Sequence, residues 1–226
     1  MHNRALPVLR ILLAGITLLT SASGRAATMS ASLTAPVVDS KDIANYGTVT
    51  WTDKWFSDAK ASGRPHGQTF STGDTGVMLN AITYQVSATQ KAEPVKTYVI
   101  RVGTVSGTTF TEVYNETATQ TFTWNSSEYM TWTLDTPVYL QPNTLYGVDI
   151  GMTSSTSGWQ TGIPYLNSTE DVFPGGTKYL SGTTGLGIGD STLNTLGKDR
   201  IFHLDMDDPM APDPYDGQIV TGGSVL

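Results

Sequence analysis

The sequence predicts an all-β chain folded as an antiparallel, jelly-roll-like β-sandwich. Three observations predict it. Apolar and polar residues alternate with a period of two in run after run, which is the mark of strands with one buried face. Turn clusters rich in Gly, Asn, Ser and Pro separate these runs at fairly even spacing, giving around eight short strands. After the N-terminal apolar run, no helical pattern exceeds two turns and no internal repeat is present.

In chain order, Met1-His-Asn-Arg4 joins a basic start to the short apolar run Leu6 to Thr20, and small residues follow at Gly24, Ala26 and Ala27. This is the layout of a secretory signal peptide, expected to occupy residues 1–27 and to direct the protein to the cell surface or the medium. A membrane-spanning helix needs roughly 20 unbroken apolar residues, more than this run supplies, so no transmembrane anchor is expected in the mature chain. Thr28 to Ser40, small and polar, reads as an extended lead-in or a first edge strand. Tyr46 to Thr52 alternates like a strand. Asp53 to His66 lacks a period and reads as a loop.

Gly67 to Phe70 opens the ordered core, and Val77 to Ser87 sets Ile82, Tyr84 and Val86 on one face against Thr83, Gln85 and Ser87 on the other. The clearest alternation lies between Tyr98 and Gly151. Tyr98, Ile100 and Val102 share a face, as do Met130, Trp132 and Leu134, and Tyr146, Val148 and Ile150. Turns at Val105–Thr109, Asn125–Ser127 and Gln141–Asn143 contain Gly, Asn and Pro, residues suited to positive φ or to a preset φ. The run is expected to be an antiparallel meander.

From Thr153 to Asn194 the chain is rich in Gly, Ser and Thr, and so long an irregular stretch inside a domain is usually functional or flexible. Arg200 to Met206 is a closing strand, with Phe202, Leu204 and Met206 opposite Ile201, His203 and Asp205. Residues 28–206 thus form one sandwich domain, and 207–226 an acidic, proline-rich tail or linker.

Composition narrows the function classes. At 226 residues without cysteine, the chain excludes disulfides, thiolate metal sites and cysteine nucleophiles, and its fold must rest on packing. A formal net charge of −7 argues against nucleic acid and anionic membranes as partners, since both attract basic patches.

Gly67-Gln-Thr-Phe-Ser-Thr-Gly73, Leu79-Asn-Ala-Ile-Thr-Tyr84, Tyr98-Val-Ile-Arg-Val-Gly-Thr-Val-Ser-Gly107 and the run Leu134 to Gly147 resemble the β-sandwich domain of exported bacterial surface proteins of the choice-of-anchor, PEP-CTERM-associated type. The resemblance covers residues 67 to 151. It implies an exported cell-surface or matrix-associated protein, sometimes a module beside glycan-degrading enzymes, and carries no activity over to named residues. Such chains often end in a Pro-Glu-Pro motif, an apolar span and a basic tail. This sequence stops at Gly222-Gly-Ser-Val-Leu226, which leaves release and an incomplete chain both open.

Catalytic signals are sparse. No Gly-x-Ser-x-Gly elbow proposes a serine nucleophile. His66 reads as a loop residue and His203 as a strand surface residue. A glycosidase would pair two carboxylates across a cleft, and Asp149, Glu170, Asp171 and Asp205 are available, but ordinary solvated faces explain them as well. Calcium, a hard cation that takes several oxygens, is the metal to consider, with Asp205, Asp207 and Asp208 meeting Asp39 or Asp42 if the lead-in lies beside the last strand.

The binding signal is aromatic. Trp51, Trp55 and Phe56 precede the core, and Trp159, Tyr165 and Tyr179 lie in the later Gly/Ser/Thr-rich part. Aromatic rings stack on the C–H face of a sugar while polar side chains such as Arg101 hold its hydroxyls. The alternative is that these rings cap the ends of the sandwich, whereas Trp124 and Trp132 belong to the core. The expected function is non-catalytic binding of polysaccharide or cell-surface glycan through Trp55, Phe56, Trp159, Tyr165, Tyr179 and Arg101. A polysaccharide hydrolase and a structural or adhesive surface protein are the alternatives.

Overall fold

The computed structural model describes residues 26–54, 65–87, 96–155, 165–181, 189 and 191–209. All regular structure among them is strand. In the first part these are β1 (Ala26–Ser32), β2 (Ile43–Asn45), β3 (Trp51–Lys54), β4 (His66–Ser71), β5 (Val77–Gln85), β6 (Lys96–Ser106) and β7 (Thr109–Gln120). There follow β8 (Tyr129–Leu140), β9 (Leu145–Ser155), β10 (Tyr165–Thr169), β11 (Lys178–Ser181), β12 (Leu193–Thr195), β13 (Asp199–Arg200) and β14 (Phe202–Asp207). No helix among the described residues is long and apolar enough to cross a membrane.

Eleven strands form one curled sheet in the order β12-β11-β4-β9-β6-β7-β1-β8-β5-β14-β2. The curl occurs at β1. Its first residues pair with β7 in parallel, Ala26 with Thr117 and Ala27 with Ala118, and Thr28 to Ser32 then pair antiparallel with β8. On one side of β1 lies a layer of β12, β11, β4, β9, β6 and β7, and on the other a layer of β8, β5, β14 and β2. The alternating residues explain the closure. Tyr98, Ile100, Val102, Tyr146, Val148 and Ile150 of the first layer share one core with Leu79, Ile82, Tyr84, Met130, Trp132 and Leu204 of the second. The Trp132 ring meets Tyr98 at 5.6 Å and Tyr84 at 6.2 Å between centroids, both edge-on, a preferred aromatic geometry.

The expected sandwich is present, and two expectations about its wiring are corrected. β8 and β9 are not neighbours in a meander: the turn at Gln141–Asn143 carries the chain from one layer to the other. Alternation reveals that a strand has a buried face but not which layer it joins. The Thr28–Ser40 region is not an edge, because β1 is the central strand shared by both layers. The expected turns have the anticipated backbone, with φ of 59° at Gly107, 69° at Ser127 and 50° at Asn143.

Three further strands, β13-β10-β3, form a small second sheet. It lies against β4 of one layer and β5 of the other, and Leu166 from its middle strand enters the core. β3 is its outer strand.

Candidate functional site

Two buried polar clusters and one exposed aromatic face are the features with chemical potential. The first cluster lies on the side of the β6–β9 layer that faces away from the core. Arg101 and Asp149 are cross-strand partners there, and both are buried. Arg101 Nε donates to Asp149 Oδ1 at 2.9 Å and Nη2 to Oδ2 at 2.6 Å, a bidentate pair. Arg101 Nη1 donates to the Gly189 carbonyl at 2.7 Å, and the guanidinium lies 4.6 Å from the Phe110 ring centroid. The Tyr179 hydroxyl donates to Asp149 Oδ2 at 3.3 Å. Burial would lower Arg101, but hydrogen bonding and attraction from Asp149 outweigh it and hold its pKa above the ordinary value.

This cluster corrects two expected ligand contacts. Arg101 is engaged by Asp149, so it is not a free donor for sugar hydroxyls. Tyr179 is not in a loop. It sits in β11 opposite Gly67, fully buried, and its ring fills the space that a side chain at Gly67 would need.

The second cluster joins the small sheet to the sandwich. Asp53 Oδ2 accepts from Lys178 Nζ at 2.6 Å, Arg200 Nη1 at 2.6 Å and Ser168 Oγ at 3.1 Å. Arg200 Nη2 contacts His66 Nδ1 at 2.6 Å, and because a guanidinium can only donate, the neutral imidazole carries its proton on Nε2. Asp199 accepts from Gln68 Nε2 at 3.0 Å and from the amides of Val172 and Phe173 at 2.8 and 2.7 Å. The two cations Lys178 and Arg200 thus share the Asp53 carboxylate, while Asp199 is held by Gln68 and two backbone amides. Burial alone would raise Asp53, but Arg200 and Lys178 together with the hydrogen bonds hold it below the usual carboxylate value. Burial lowers Lys178, and Arg200 adds to that. His66, expected in a loop, is a buried residue of β4.

The exposed face grows out of this second cluster. Asp53 Oδ1, the oxygen not used by the cations, accepts the indole N–H of Trp51 at 3.1 Å. Trp51 is 55% exposed on the outer strand β3. With Val49, Thr50 and Thr52 it lines a shallow depression of about 330 Å³. Lys198 Nζ sits 5.6 Å from the indole centroid and pairs with Glu170 Oε2 at 2.9 Å.

The remaining expected residues divide between places. Trp55, Phe56 and Trp159 lie outside the described residues. Tyr165 opens β10, and its backbone pairs with Lys54 at the end of β3. Trp124 and Trp132 are buried as core residues.

The calcium ligands are not assembled. The lead-in does lie beside the last strand, since β2 pairs with β14. Its carboxylates, however, are already engaged. Asp42 Oδ2 receives His203 Nε2 at 2.9 Å and the Asp39 amide at 2.7 Å, while Oδ1 receives the Met206 amide at 2.8 Å. Asp207 accepts from Asn80 at 2.8 Å, and Asp208 pairs with Lys41. Asp205 is half-buried, and burial followed by the charge of Asp42 pushes its pKa up. No group of three or more potential metal ligands occurs among the described residues. His203 is buried rather than a surface residue, because Asp42 on the chain between β1 and β2 bonds its ring and Tyr46, just after β2, stacks on it at 6.2 Å.

The class that the fold defines is an all-β protein of sandwich type, with an exposed tryptophan on its small accessory sheet. No protein-family model matches the chain, and neither the curated proteins nor the solved structures give a match.

Proposed function

We propose that this is an exported, non-catalytic β-sandwich that binds glycan at the bacterial surface or in the surrounding matrix, of the choice-of-anchor type that its strands resemble. The observation that carries the reading is Trp51: a large aromatic ring on an outer strand, more than half exposed beside a shallow depression and held by a side-chain hydrogen bond. An indole face presented in this way suits the C–H face of a sugar ring.

The carboxylates favour binding over hydrolysis. Asp149 is buried against Arg101, and Glu170 is paired with Lys198. Edge-to-edge assembly finds little purchase. Among the described residues the strands at the sheet edges, β2, β12, β13 and β3, have only three, three, two and four residues, and short edges discourage further pairing.

Retention of the purified protein on a panel of immobilised polysaccharides tests this. Retention on at least one polymer that is lost in Trp51→Ala, with an unchanged melting temperature, is expected. No retention across a broad panel overturns the reading.

A further inference from the structure

We infer that the Trp51 face takes an uncharged pyranose unit in preference to an acidic one, and that Asp53 is the residue that positions the indole for it. The inference rests on the glycan-binding reading above.

The positioning follows from the two oxygens of Asp53. An exposed tryptophan on an outer strand would ordinarily sample several rotamers, and a ligand would have to select one of them. Here the indole N–H is bound to Asp53 Oδ1 at 3.1 Å. Asp53 is itself held through Oδ2 by Lys178 from β11, Arg200 from β13 and Ser168 from β10. Lys178, Arg200 and Ser168 are all buried, so the ring is tied to the interior through a single carboxylate. The bond also fixes which edge of the indole is occupied.

The selectivity follows from charge. The Asp53 carboxylate is matched by the buried cations. Lys198, the cation over the ring, is bound to Glu170 at 2.9 Å. A uronate or sulfate group would have to compete with the Glu170 carboxylate for Lys198, on a chain whose formal charge is −7. An uncharged sugar breaks no ion pair. Its C–H face can lie on the indole, and its hydroxyls can share the Lys198–Glu170 pair, which both donates and accepts.

The test uses the full chain and two soluble probes of equal length, a neutral glucan hexasaccharide and an oligogalacturonate, titrated at physiological salt. At least tenfold tighter binding of the neutral probe is expected, and equal or tighter binding of the acidic probe overturns the selectivity. Trp51→Phe keeps a stacking ring but has no N–H for Asp53, and its exposed position makes it safe for folding. It should melt like wild type and bind the neutral probe at least fivefold more weakly. Binding within twofold of wild type overturns the positioning role, whatever Asp53→Asn does to the fold. If Asp53→Asn folds, it should weaken binding in wild type and add nothing in the Trp51→Phe background; additive losses also overturn the positioning role. Failure of wild type to bind any neutral or acidic glycan defeats the underlying glycan reading instead, and is recognised because no variant then differs.

Discussion

The indole N–H of Trp51 donates to Asp53 at 3.1 Å, and the other oxygen of that carboxylate receives Lys178 and Arg200 at 2.6 Å each. A half-exposed ring is therefore continuous with a buried cluster of ion pairs. That cluster also joins the three-stranded sheet to the sandwich, since Asp53 belongs to β3, Ser168 to β10, Arg200 to β13 and Lys178 to β11. The same residues hold the accessory sheet in place and set the orientation of the ring it displays.

The Arg101–Asp149 pair should behave as a buried ion pair. Removing one partner leaves an uncompensated charge, so Arg101→Met is expected to cost about 3–5 kcal/mol. The double change Arg101→Met with Asp149→Leu should cost clearly less than the sum of the single changes. Urea denaturation of the four proteins in this cycle measures the coupling, and additive losses would show that the pair does not act as a unit.

Gly67 gives a steric test. A Cβ there would meet the Tyr179 ring and the carbonyl oxygen of Val148, both in packed surroundings. Gly67→Ala is expected to destabilise by about 1–3 kcal/mol, as overpacking does. Thermal melting reads this, and an unchanged midpoint would mean that Tyr179 does not lie over β4.

Acid should loosen the crossing between β1 and β2. Burial would raise Asp42, but the amides of Asp39 and Met206 and the imidazole of His203 outweigh it and hold its pKa below the usual value. A carboxylate depressed in the folded state contributes stability that is fully present above its unfolded pKa of about 3.9 and is lost as pH falls through the folded pKa. Asp53 is also depressed and has the same sign. Asp205, which is raised, acts in the opposite sense and gains stability as pH falls through its folded pKa. The melting temperature should therefore fall steeply only below about pH 4. Asp42→Asn should lower it at neutral pH and make the acid limb shallower. An acid limb identical to wild type in Asp42→Asn would contradict this assignment.

β1 bounds where the leader proposed for residues 1–27 can end. Ala27 is buried, and Ala26 and Ala27 form the parallel pairs with β7 at the point where the sheet curls. Leader removal after Gly24, where Ala22 and Gly24 supply the small residues that such cleavage needs, keeps these pairs intact. Cleavage after Ala27 would delete them. If the protein is exported as proposed, its intact mass should correspond to a chain beginning at Arg25, a leader shorter than the expected 1–27; a chain beginning at Thr28 would contradict the role given to Ala26 and Ala27.

Some of this was legible in the sequence and some was not, for physical reasons. The strands around Tyr98, Trp132 and Val148 announce themselves because their inward residues are large and apolar. β1 does not, because its inward residues are Ala27, Met29 and Ala31, a weak contrast with Thr28 and Ser30. β10, β11 and β13 are hidden more thoroughly. Their buried residues include Asn167, Ser168, Lys178, Asp199 and Arg200, polar groups that read as solvated until their partners are known. Those partners can be more than a hundred residues away, as Asp53 is from Arg200. Arg101 and Tyr179 are buried and partnered on the same account, since a charge or ring in a strand gives no sign in sequence of being matched inside. Trp51 was noticed as an aromatic, but only the pairing of β3 at the outside of its sheet distinguishes it from a core ring.

The central claim is that glycan is bound on the Trp51 ring, and the indole N–H signals of the five tryptophans test it most directly. In a ¹H–¹⁵N spectrum the Trp51 signal is the one missing from Trp51→Phe. Titration with a retained neutral glycan should shift that signal, while those of the buried Trp124 and Trp132 stay in place. Binding that leaves the Trp51 signal unmoved would contradict the account.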